Sequence, residues 1–76
     1  PQLEARFVHG HQLGMDVYRA QHRVDDLDRS ASRIQRQLHA EKDRCKRRGL
    51  RRDLNHIGSQ LRAARRDLAR AEQRLR

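Results

Sequence analysis

From Leu50 to Leu75 the residues Leu50, Leu54, Ile57, Leu61, Ala64, Leu68, Ala71 and Leu75 follow one another at alternating spacings of four and three. That alternation draws one narrow apolar stripe along a helix, and a stripe of that width is buried only against another helix. A chain carrying it is expected to consist of long helices packed along seams. The seam bears on architecture and is silent on the process the protein serves.

A second seam precedes the first. Leu13, Val17, Ala20, Val24, Leu27, Ala31, Ile34 and Leu38 keep the same spacing, and Glu41 and Cys45 continue it. Asp16 reads as its N-cap. Asp25, Asp26 and Asp28 lie early, while Lys42, Arg44, Lys46, Arg47 and Arg48 crowd the end, an order that complements a helix dipole. Carried past Cys45, the spacing lands on Arg48 and Arg52, whereas the apolar residues stand at Leu50 and Leu54. The phase breaks beside Gly49.

A phase break next to a glycine, between two helical patterns, marks an αα-hairpin. The expected fold is all-α: an antiparallel coiled-coil helical hairpin with helices at 13–46 and 50–75. A tight Gly-containing turn at 46–49 (Lys46-Arg47-Arg48-Gly49) joins them, and residues 1–12 form an N-terminal arm, helical or irregular because of Gly10 and Gly14. In this register the numbers of facing seam residues add to 95. Ala31 then faces Ala64, Ile34 faces Leu61 and Cys45 faces Leu50, with Asp28 beside Arg65 and Arg44 beside Asp53.

Such a hairpin has a thin core. With 34% hydrophobic and 3% aromatic residues in a chain of 76, there is too little apolar bulk for a thick globular interior, and an isolated pair of helices is marginal. Association is the expected remedy, either as a homo-oligomer that dimerises into a four-helix bundle or by docking on a larger protein partner. Leu3, Phe7, Val8, Met15 and Tyr18 stand off the seam and include both aromatics and the single methionine. They are the expected protein interface.

Charge points to a second class of partner. The net charge is +9, with 19 Lys and Arg, and seven of the eleven residues from Lys42 to Arg52 are basic: Lys42, Arg44, Lys46, Arg47, Arg48, Arg51 and Arg52. At a hairpin tip fed by both helices they would attract a nucleic acid or an acidic protein. With few aromatics to stack bases, RNA or DNA binding there, together with the outer Arg rows, would be directed at the backbone and indifferent to sequence. The basic run is also followed by Leu54, Leu61, Leu68 and Leu75 at every seventh residue, a layout that resembles bZIP transcription factors. That resemblance implies a DNA-binding parallel dimer. It is one of layout alone, since the family's asparagine and paired alanines do not stand ahead of Cys45.

Catalysis finds no support. No Ser/His/Asp elbow, Gly-rich phosphate loop or paired-carboxylate cleft occurs, so the chain is expected to be no enzyme, with no cofactor and no small-molecule substrate. His9 and His11, with Asp16 or His22, lack the second clustered pair of a metal site. Cys45 is the single cysteine. Its basic neighbours suit a reactive thiol, but its place in the spacing favours a small apolar residue closing the last seam layer. No apolar run reaches the roughly 18 residues of a membrane span, and a cytoplasmic setting is expected.

Overall fold

A computed structural model describes the backbone of residues 2–75 and the side chains of residues 14–75. It contains two helices, α1 (Gln2–Ala40) and α2 (Arg44–Leu75), packed against each other. The result is a rod of 63 × 14 × 14 Å. This is the all-α helical hairpin that two seams of matching period require. Residues 2–12 are the first turns of α1 rather than a separate arm. Gly10 and Gly14 weaken the helical ladder by about 1 kcal/mol each but do not interrupt it.

The turn is not where the phase break suggested. Glu41, Lys42 and Asp43 make it, and Lys46 to Gly49 lie inside α2. Three interactions hold it. Asp43 is the N-cap of α2: its Oδ1 accepts from the backbone N–H of Cys45 at 2.8 Å and of Lys46 at 3.2 Å. The Asp43 N–H in turn donates to Glu41 Oε1 at 3.0 Å. On the other side, Arg47 Nη1 donates to the carbonyl oxygens of Leu38 at 3.0 Å and Glu41 at 2.9 Å, which the end of α1 leaves without helical partners. A cap is worth about 0.5–2 kcal/mol, and hydrogen bonds from a charged group about 1.5–3 kcal/mol. Together they outweigh the roughly 1 kcal/mol lost by enclosing Gly49 in a helix. Gly49 has no positive φ to give up.

Moving the turn slides the register by one heptad. Gln37 and Leu50 line one cross-helix groove and Ala20 and Ala71 another; their numbers add to 87 and 91, and Glu41 with Arg47 to 88. The sum nearest these values that still sets one stripe against the other is 88, one heptad from 95. Seam still meets seam, because both stripes repeat every seven residues. That sum matches Val24 with Ala64, Ala31 with Ile57 and Leu38 with Leu50. Arg44 and Asp53 share one helix, so their expected pairing is lost. Asp28 and Arg65 keep theirs at 3.4 Å, both flanking the same side of the seam within an arginine's reach. Cys45 belongs to neither stripe and is exposed; the α2 stripe runs back through Leu50 to half-buried Arg47.

The core is as thin as the composition implies. Val24, Ala64 and Ala71 are the buried apolar residues among those described, with Ala64 at 1% exposure. The remaining described seam residues from Val17 to Leu68 are half-buried, and Leu75 is exposed. The chain exposes 6546 Å², against about 4,900 Å² for a compact protein of its mass.

Candidate functional site

Two surfaces remain once the seams are paired: the side of each helix that faces away from the other. They differ in kind. Along α1 runs a mixed surface of Met15, Tyr18 and His22, followed by Asp26 and Arg29, at the three-and-four spacing that keeps residues on one face. Tyr18 is 63% and Met15 38% exposed. The Tyr18 ring meets His22 edge-on, centroids 6.2 Å apart, and His22 Nδ1 lies 3.1 Å from Asp26 Oδ2. Arg29 Nη2 donates to Asp26 Oδ1. That hydrogen bond, opposed by partial desolvation and helped by the charge of His22, holds the Asp26 carboxyl below its ordinary value. Of the residues expected to form a protein interface, Met15 and Tyr18 are thus together on one exposed face. Leu3, Phe7 and Val8 lie outside the residues whose side chains are described.

The basic residues are distributed otherwise than a two-helix tip would have them. Lys42 is in the turn, and Arg44, Lys46, Arg48, Arg51 and Arg52 are exposed on the first turns of α2. Arg47 is half-buried and occupied by the carbonyls of Leu38 and Glu41. None comes from α1. The outer Arg rows expected beside the tip continue this surface along α2. Arg44, Arg48 and Arg52 follow at intervals of four, and Arg62, Arg66 and Arg70 repeat the interval further on; all six are exposed. Both triplets lie on the side of α2 turned away from the Leu54, Leu61 and Leu68 stripe, with Arg44 and Arg62 at its edge. Plain i, i+4 spacing marks them in the sequence.

No acid interrupts that face. The three acids of α2, Asp53, Asp67 and Glu72, each stand next to a seam residue (Leu54, Leu68 and Ala71), and Asp53 and Asp67 border the grooves shared with α1. Among the described residues the ion pairs are His22–Asp26, Arg29–Asp26 and Arg65–Asp28. The two triplets take part in none of them, and Arg62 has only the Ser59 hydroxyl at 3.3 Å. Like charges at i, i+4 destabilise a helix by about 0.2–0.5 kcal/mol per pair, so each triplet works against the helix that carries it.

Among the described residues no group of His, Cys, Asp or Glu is placed to hold a metal ion, and no helix is long and apolar enough to cross a membrane. Comparison with family models, with curated proteins and with solved structures finds no match to this chain.

Proposed function

We propose that the hairpin is a non-enzymatic coiled-coil interaction module that pairs with a second copy of itself, or with a helical surface of a larger protein, to complete its core. The observation that carries this reading is the half-covered seam: among the described residues Val24, Ala64 and Ala71 are buried, and every described seam leucine and isoleucine keeps part of its surface exposed. The surface in excess of a compact chain, about 1,600 Å², is ample for the roughly 800 Å² that each partner gives to a standard interface. The exposed Met15 and Tyr18 supply adaptable and amphipathic contact groups suited to such a surface.

Sedimentation equilibrium on the chain, from low to high micromolar concentration, tests the reading. The expected mass is a multiple of 9.1 kDa that rises with concentration. Changing Met15 and Tyr18 to Ser should shift it toward the monomer or lower the melting temperature. A monomer at every concentration, whose mass and melting temperature the double change leaves alone, would overturn self-association.

A further inference from the structure

We propose that the outward face of α2, carrying Arg44, Arg48, Arg52, Arg62, Arg66 and Arg70, docks the phosphate backbone of a nucleic acid strand along its length, not at the hairpin tip alone. From Arg44 to Arg70 the face covers 27 residues, a rise of about 39 Å at 1.5 Å per residue. It is exposed throughout. Within each triplet successive guanidinium groups start about 6 Å apart along the axis, a spacing of the same order as that of successive phosphates on one strand. Each guanidinium is a planar fork of donors that matches a phosphate bidentately. Leaving six such groups without a carboxylate, on a helix they destabilise, is explained by a polyanion that neutralises them together.

The chemistry of the rest of the face selects among polyanions. Between and beyond the arginines stand Asn55, Ser59 and Gln73, and no large apolar side chain is interleaved. A protein interface has an apolar core from which charge is depleted, and a membrane-surface helix needs a hydrophobic side; the hydrophobic side of α2 is already turned to α1. A regularly charged strand needs neither. With no aromatic residue on the face, bases are not stacked, and recognition is of the backbone irrespective of sequence. The surface is distinct from Met15 and Tyr18, which are on the opposite side of the rod, so association and strand binding are separable.

Fluorescence anisotropy with a labelled single-stranded RNA of about twenty mixed nucleotides tests this, with a polyglutamate peptide of equal charge as the acidic-protein arm. Binding should be insensitive to base sequence. Its log affinity should fall with log salt at a slope of about −4, six contacts at roughly 0.7 each. The triple change Arg62→Gln, Arg66→Gln, Arg70→Gln lies far from the turn. It should leave the circular dichroism unchanged while reducing the slope by about 2. The single change Arg66→Glu should weaken binding in the same direction if the triple variant loses helicity. The proposal fails if the parent binds no RNA at about 50 mM salt, where screening is modest, or prefers polyglutamate to RNA. It fails equally if the far triplet can be removed without changing the slope, which would confine binding to the tip.

Discussion

The two helices share a seam and almost nothing else. α1 carries six basic and five acidic residues, α2 eleven and three; a net charge near +1 thus faces one of +8. The difference goes beyond number. α1 settles its charge locally: Gln21 Nε2 donates to Asp25 at 2.9 Å, and Asp26 gathers both His22 and Arg29. α2 reserves its few acids for the seam flank and leaves its outer arginines bare. One helix offsets much of its charge within itself, while the other carries like charges at i, i+4 that oppose it, the tension that the proposed polyanion would relieve. Apolar complementarity therefore has to hold together what charge on α2 opposes.

The exception on α2 yields the largest expected effect. Arg47 is the half-buried arginine of that helix that closes the turn, donating to Leu38 O and Glu41 O. Replacing it with Met should lower the stability of the hairpin in urea by about 1.5–3 kcal/mol, since two carbonyls lose a charged donor. Arg47→Lys should recover only part, because an ammonium is a point charge without the fork that serves both oxygens. The same Met change at exposed Arg48 should be neutral or slightly stabilising, as it removes like-charge neighbours. Equal losses at 47 and 48 would mean that the distinction between used and unused arginines on α2 is false.

That contrast also shows what could be read from the residues alone. Hairpin topology was legible, because two seven-residue repeats of opposite run leave few other ways to bury their stripes. The turn was not, for a physical reason. The α2 stripe begins at Arg47, a polar residue in an apolar position, so the apolar pattern starts three residues late and the glycine beside it looks like the stop. Counting back from Leu54 and Leu50 by four and three lands on Arg47, and Asp43 is the sole acid between Lys42 and Arg52. Those two signs together mark a capped helix start at 44. Heptad symmetry then hid the error, since a register displaced by seven still sets apolar against apolar. The exposed pair Met15 and Tyr18 was legible as off-seam apolar residues, and the outer arginine rows as i, i+4 spacing; that the basic tip draws on α2 and the turn alone needed the position of the turn.

Gly49 offers a smaller effect whose sign decides between the two placements of the turn. In α2 its φ is helical and an added Cβ would meet nothing within 4 Å. Gly49→Ala should therefore raise stability by about 1 kcal/mol, the difference in helix propensity. Gly58, equally open, should respond alike. Had the chain turned at 46–49 with a left-handed glycine, the same substitution at 49 would cost stability and only Gly58→Ala would gain it. Thermal melts of the two single variants and the double variant separate these outcomes, and a loss at 49 would return the turn to the glycine.

The smallest effect lies on α1 and probes whether its charges are settled as the pairing suggests. The Arg29 hydrogen bond is the main cause that holds Asp26 below the ordinary carboxylate value of 3.8. A folded value below the unfolded one contributes stability that is present above pH 3.8 and lost as pH falls through the folded value. The window is therefore acidic, beneath pH 3.8, and neutral solution sees the full contribution. Because Asp26 is exposed, water screens most of it, and the change in overall stability is expected to be near the limit of detection. The titration itself is the better readout. A carboxyl-carbon NMR titration should place Asp26 below 3.8, and Arg29→Gln should move it back upward. If Asp26 does not move, the pairing within α1 is a crowding of charges rather than a bond, and the two helices differ in net charge alone.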